Sequence, residues 1–175
     1  MKVNISSIRD VRGGALPISG TVDLQITRPE LGFQFTGPVR VTGTVTNTGE
    51  GFLIETLLTF TYEVNCGRCL ERFAAEQSVE LKEEFIPGYA KEDELAFGFQ
   101  GDEIDMTDCI TEQVILALPM NFICQPECRG LCPSCGKNLN REACECVVKN
   151  INPQFAKLKS LLSTEGGGTD GKSKK

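Results

Sequence analysis

The sequence predicts an α+β chain: a mainly antiparallel β body with a packed helix, followed by a small cysteine-rich zinc module and a short C-terminal helix. Three observations carry this. Apolar and polar residues alternate over much of residues 22–86, one helical period stands at 105–119, and eight of the nine cysteines fall in four close pairs. At 175 residues and 40% hydrophobic content, the chain is long enough for one ordinary domain and a small appendage.

Val22-Asp23-Leu24-Gln25-Ile26 is the first alternating stretch. The clearest unit follows, a long half-buried hairpin around Asn47-Thr48-Gly49-Glu50-Gly51. Val39, Val41 and Val45 alternate with Arg40, Thr42, Thr44 and Thr46 before it; Ile54, Leu58, Phe60, Tyr62 and Val64 alternate with polar residues after it. Val79 to Ile86 supplies a further strand ending at Pro87. Residues 87–104, with three glycines and Glu92-Asp93-Glu94, show no period and read as a mobile loop. A helix follows, capped by Asp105 or Thr107, with Met106, Ile110, Val114, Ala117 and Leu118 on the face expected to pack on the sheet, and it stops at Pro119. Asn152-Pro153 opens a second, short helix whose stripe is Phe155, Leu158, Leu161 and Leu162. The expected organisation is a body over 1–120, a cysteine-rich module over 121–150, an amphipathic helix over 151–163 and a disordered tail over 164–175.

Composition removes whole classes of chemistry. With no histidine there is no Ser-His or Cys-His nucleophile pair and no imidazole ligand. The longest apolar run, Val114 to Leu118, is far short of the about 20 residues of a membrane span. Met1 to Ser7 does not read as a secretory signal, so a reducing cytoplasm is expected, where nine cysteines suggest metal before disulfides. Residues 1–120 carry 9 Lys and Arg against 19 Asp and Glu; residues 121–175 carry 9 against 5. An acidic body suits a basic protein partner, although a solvated acidic face is an equal reading, and a sequence pI near 4.8 is no footprint of an RNA binder.

The pairs are Cys66/Cys69, Cys124/Cys128, Cys132/Cys135 and Cys144/Cys146. In Cys132-Pro133-Ser134-Cys135-Gly136 the two-residue spacing lets both sulfurs face one ion at ~2.3 Å, with Pro fixing one backbone angle and Gly free to take positive φ. Cys66-Gly67-Arg68-Cys69 has the same spacing. Eight cysteines make two tetrahedral sets. The preferred grouping is Cys66, Cys69, Cys124 and Cys128 around one zinc and Cys132, Cys135, Cys144 and Cys146 around the other. A set of Cys124, Cys128, Cys132 and Cys135, or a single zinc with several free thiols, are alternatives, and iron also accepts four sulfurs. All-cysteine sets are closed, so a structural role is expected. Cys109 has no cysteine at ligand spacing and reads as a half-buried helix residue. The competing chemistry is a redox dithiol at Cys66/Cys69, although no strand-helix alternation frames it.

Cys66-Gly67-Arg68-Cys69-Leu70-Glu71-Arg72-Phe73, the helix Asp105 to Met120, and Cys128-Arg129-Gly130-Leu131-Cys132-Pro133-Ser134-Cys135-Gly136-Lys137-Asn138-Leu139-Asn140 together resemble the YceD family, bacterial and plastid proteins needed for accumulation of large-subunit ribosomal RNA. The resemblance covers about residues 37–162. It implies a non-enzymatic part in large ribosomal subunit biogenesis and, through the family's gene neighbourhood, a link to a small ribosomal protein. The leading expectation is therefore a zinc-stabilised assembly factor acting on the large-subunit precursor. Arg68, Arg72, Arg129, Lys137 and Arg141 would meet ribosomal RNA and the acidic body a basic ribosomal protein, with no membrane and no small-molecule substrate. An interaction module that binds only protein is a third reading.

Overall fold

The turn after Asn47 sets the register of the sheet. Thr48 donates its N–H to the Gly51 carbonyl at 2.9 Å and its hydroxyl accepts from the Gly51 N–H, while the Asn47 side chain accepts from the Gly49 N–H. These bonds close the hairpin between β5 (Val39–Asn47) and β6 (Phe52–Asn65), which pair antiparallel from Asn47↔Phe52 to Arg40↔Thr59. The computed structural model describes residues 1–24, 27–28, 32–88 and 97–146. The chain forms two compact units, Met1–Gly130 and Leu131–Lys175.

In the first unit, β6 is the central strand. One edge carries β5 and, beyond it, β4 (Phe33–Phe35), which pairs through Gln34↔Glu63 and Phe35↔Tyr62; the other carries β7 (Arg72–Pro87) over the full length of β6. The sheet extends from β5 to β2 (Ala15–Val22), from β4 to β3 (Thr27–Arg28) and, by the one parallel pairing among the described residues, from β7 to β8 (Phe97–Phe99). A separate pair joins β1 (Lys2–Asn4) to β9 (Glu103–Asp105). Alternation points Phe52, Ile54, Leu58, Phe60, Tyr62 and Val64 of β6 to one face, where all are buried. Each contributes roughly 1.5–3 kcal/mol through burial.

The helix α1 (Thr107–Ala117) starts where Asp105 accepts the Thr107 N–H at 3.0 Å and its hydroxyl at 2.6 Å, bonds that hold the Asp105 carboxyl below its ordinary range. It ends as Leu118 turns extended ahead of Pro119. Cys109, Ile110 and Val114 are buried in the same apolar cluster as Val41, Leu58, Phe60 and Leu81. Gln77 and Gln113 tie α1 and β7 together, Gln77 through the Ala117 carbonyl at 2.6 Å and Gln113 through the Glu80 carbonyl at 3.0 Å.

Three details differ from the sequence expectation. The strand expected at 22–26 instead spans Ala15–Val22, with Leu16, Ile18, Gly20 and Val22 turned inward. Pro17 is tolerated because, among the described residues, β2 pairs on one side only, with β5. The strand expected from Val79 begins at Arg72, since pairing with β6 is imposed by the short connection after Asn65 and not by its own weak alternation. The stretch read as a loop over 87–104 contains β8 and the first two residues of β9. Gln25 and Ile26, residues 89–96 of that stretch, the helix expected over 151–163 and the tail over 164–175 lie outside the described residues.

Candidate metal centres

The first quartet grows out of the end of β6. Alternation that turns Tyr62 and Val64 inward also turns Cys66 inward. The backbone then folds over itself: the Cys66 N–H donates to Glu71 O at 2.8 Å and the Leu70 N–H to Cys66 O at 2.9 Å, forming a knuckle that returns as β7 and brings Cys69 beside Cys66. Leu70 sits at φ 61°, the one non-glycine residue with positive φ among the described residues. The other two cysteines come from the segment after α1. Phe122 packs on Phe33 and Tyr62, with ring centroids 5.8 and 5.6 Å away, and its carbonyl accepts the Gly67 N–H at 2.8 Å. This pins the chain so that Cys124 Sγ lies 3.8 Å from Cys69 Sγ, and Cys128 Sγ lies 3.8 Å from Cys66 Sγ. Arg68 straps the return, donating to the Cys128 carbonyl at 3.0 Å and the Pro126 carbonyl at 3.4 Å. Gly130, at φ 73°, passes so close that a Cβ there would lie 2.9 Å from Arg68 O.

The second unit repeats the knuckle. The Cys132 N–H donates to Lys137 O at 2.8 Å and the Gly136 N–H to Cys132 O at 2.9 Å, the same two bonds at the same offsets, with Gly136 at φ 73° in the place that Leu70 takes in the first. Cys144 Sγ then lies 3.4 Å from both Cys132 Sγ and Cys135 Sγ.

Within each group, Cys66, Cys69, Cys124, Cys128 and Cys132, Cys135, Cys144, Cys146, all four sulfurs lie within 4.8 Å of one another, so either group could hold a metal ion. This is the grouping preferred from spacing. The electrostatics fit a cation. Burial pushes the Cys66 thiol up, but the N–H groups of Cys69, Cys124 and Arg68 outweigh that and bring it down to about 6. Burial and the sulfurs of Cys128, Cys66 and Cys69 push Cys124 up to about 12, and burial also raises Cys69. In the second group the N–H groups of Cys135 and Ser134 bring Cys132 down to about 6, while the Cys144 and Cys135 sulfurs push Cys146 up to about 12. Each set thus has one ready thiolate and neighbours that resist adding further negative charge, a conflict that a divalent ion at the centre removes. Cys109 belongs to neither set. It is buried in the core, donates to Met106 O at 3.2 Å, and burial with the nearby Glu83 charge pushes it up to about 12.

The basic residues singled out from sequence have different settings. Arg68 is the strap just described. Arg72 pairs with Glu63 at 2.9 Å and Lys137 with Glu142 at 3.6 Å, and Arg129 and Arg141 are exposed. The parts that sequence reasoning missed are the Phe122 pin and the strained Leu70. The signal for Leu70 is the shared frame of Cys66 to Glu71 and Cys132 to Lys137, in which leucine stands where glycine is needed.

Among the described residues, no helix is long and apolar enough to cross a membrane. The family model for the large ribosomal RNA subunit accumulation protein YceD matches residues 54–162, a span that contains all eight quartet cysteines. An uncharacterised protein of Mycobacterium tuberculosis is 35% identical over 128 residues, covering 69% of this chain and 60% of the relative. The chain thus spans about 60% of the length of the mycobacterial relative. The large ribosomal RNA subunit accumulation protein YCED homolog 1 of Arabidopsis thaliana chloroplasts is 40% identical over 70 residues, 40% of this chain and 22% of the relative. The uncharacterised protein YlbN of Bacillus subtilis is 24% identical over 169 residues, 94% of this chain and 98% of the relative. No solved structure matches. The matched span, more than half of the chain, shows that this protein belongs to the YceD family.

Proposed function

We propose that the protein is a non-enzymatic zinc-binding factor in large ribosomal subunit biogenesis that supports accumulation of 23S ribosomal RNA in the cytoplasm. The observation that carries this reading is the pair of all-sulfur quartets in a chain whose family is described by large ribosomal RNA accumulation. Zinc is the ion proposed for both, with Cys66, Cys69, Cys124 and Cys128 as one ligand set and Cys132, Cys135, Cys144 and Cys146 as the other. Four thiolates fill a tetrahedral ion and leave no open position for substrate, so the metal shapes a surface and does no chemistry.

The partners proposed are the large-subunit precursor, through ribosomal RNA and a basic ribosomal protein. Exposed Arg129 and Arg141, with Arg72 and Lys137, would meet phosphate. The acidic first 120 residues, a body in the proposed organisation, would hold the basic protein. Arg68, spent on two carbonyls, acts by holding the first quartet. The competing dithiol reading of Cys66 and Cys69 needs a sulfur that an incoming disulfide can reach; these two are 0% and 3% exposed.

The test is loss of the gene in its own host, with the ratio of 23S to 16S ribosomal RNA as readout. The ratio is expected to fall on deletion and to recover with the wild-type gene but not with Cys132→Ser. An unchanged ratio overturns the reading.

A further inference from the structure

The two sulfur quartets differ in what can reach them. In the first, Cys66, Cys69 and Cys128 are buried, walled by Phe73 and Ile123 and strapped by Arg68. In the second, Cys132 is buried, Cys144 is half-buried, and Cys135 and Cys146 are exposed. Exposed Cys135 has a second sulfur, that of Cys144, at 3.4 Å. From this geometry we infer that the second quartet is an oxidation site: a peroxide joins Cys135 to Cys144 as a disulfide and the metal leaves that site, while the first quartet keeps its ion. The inference rests on the reading that both quartets hold zinc.

The step balances with hydrogen peroxide as the named oxidant. The Cys135 thiolate attacks one peroxide oxygen, the O–O bond breaks, and a sulfenic acid and a hydroxide form. The Cys144 thiolate attacks the sulfenic sulfur, the S–O bond breaks, and a second hydroxide leaves as the S–S bond forms. Two electrons pass from the two sulfurs to peroxide, and two protons from solvent turn the hydroxides into water. Bonding needs the sulfurs to close from 3.4 Å to about 2.05 Å, a movement within one fifteen-residue segment, Cys132 to Cys146, whose described residues apart from Cys132 are half-buried or exposed. Two sulfur ligands remain, too few to retain a structural ion. The first quartet offers peroxide no comparable entry, since the one of its sulfurs that is not fully buried, Cys124, belongs to the half-buried segment pinned by Phe122.

The test uses the full wild-type chain loaded with zinc and stripped of free ion, its metal counted first, then exposed to one equivalent of hydrogen peroxide. Released zinc is followed with a chromogenic chelator, and the bonds are mapped by mass spectrometry after alkylation. Expected are two ions per chain at the start and release of one. A Cys135–Cys144 disulfide should form at least tenfold faster than any change at Cys66, Cys69, Cys124 or Cys128, with zinc rebinding after reduction by dithiothreitol. Two ions released at one rate, or a first disulfide in the other quartet, overturns the inference and leaves the two-zinc reading standing. Fewer than two ions at the start overturns the two-zinc reading, and the inference with it.

Discussion

The two quartets share a ligand set and a knuckle, yet they stand in opposite relation to their surroundings. The first is an attachment to a core that exists without it: the sheet buries Val39, Val41, Ile54, Leu58, Phe60 and Ile110 whether or not four sulfurs converge at its end. The second is nearly all the core that residues 131–146 have, since among those described residues only Cys132 is buried. A set of four sulfurs therefore fastens a segment to an existing core in the first case and supplies most of the buried interior of residues 131–146 in the second. A set of ligands read from spacing gives the site but not its energetic weight, which depends on how much apolar surface is buried around it.

Metal removal breaks this comparison most directly. With a strong chelator under reducing conditions, residues 131–146 are expected to lose their fold altogether, because structural zinc supplies on the order of 10 kcal/mol to modules without a core of their own. The sheet should persist, with a lower midpoint. Amide hydrogen exchange, comparing Cys132 and Gly136 with Val41 and Leu58, reads both units in one sample. Retained protection at Cys132 and Gly136 in the metal-free chain would show that the second unit does not need its ion.

The ninth cysteine sharpens the contrast, because it shows what a thiol costs when no cation is near. Burial, with the Glu83 charge nearby, pushes the Cys109 thiol from an ordinary value of 9.0 up to about 12 in the folded chain. A raised acid pKa means that the unfolded chain releases its proton first, so stability is intact below pH 9 and falls as pH rises from 9 toward 12. At pH 10 the loss is about 1 kcal/mol. Cys109→Ala should cost about 1 kcal/mol at pH 7 by removing a buried sulfur, and should flatten the alkaline decline. Denaturant midpoints at pH 7 and pH 10 for both chains test this, and an equal decline in the two would refute it.

Much of this architecture is legible in the sequence, and the limits have physical causes. The β5–β6 hairpin announces itself because its alternation and its turn are both local. The grouping of the cysteines is legible for the second set, which closes within fifteen residues, and rests on elimination for the first, where Cys66 and Cys124 are far apart in sequence and meet at the end of the sheet. Strand β2 is hidden in the sequence because Pro17 and Gly20 mask its alternation, and the first half of β7 because its pairing is inherited from β6. Nothing local distinguishes Phe122 from any other loop aromatic. Its role exists only once Phe33 and Tyr62 are neighbours.

The smallest predicted effect is the most specific to the shared knuckle. Leu70 and Gly136 occupy equivalent positions, at φ 61° and 73°, where a side chain costs roughly 1–2 kcal/mol. Leu70 is 65% exposed, so removing it sacrifices little burial. Leu70→Gly should therefore relieve strain, offset in part by the greater freedom that glycine gives the unfolded chain, and stabilise the first unit by about 0.5 kcal/mol. The reverse change in the second knuckle, Gly136→Ala, meets no neighbour within 4 Å yet should weaken its unit by about 1 kcal/mol through backbone strain alone. Thermal midpoints of the zinc-loaded chain read the first, and zinc competition reads the second as a roughly fivefold loss of affinity. Opposite signs would establish that both knuckles demand the same left-handed residue and that the first carries its leucine at a cost. A loss of stability in Leu70→Gly would mean instead that the exposed leucine makes a contact worth more than the strain it imposes.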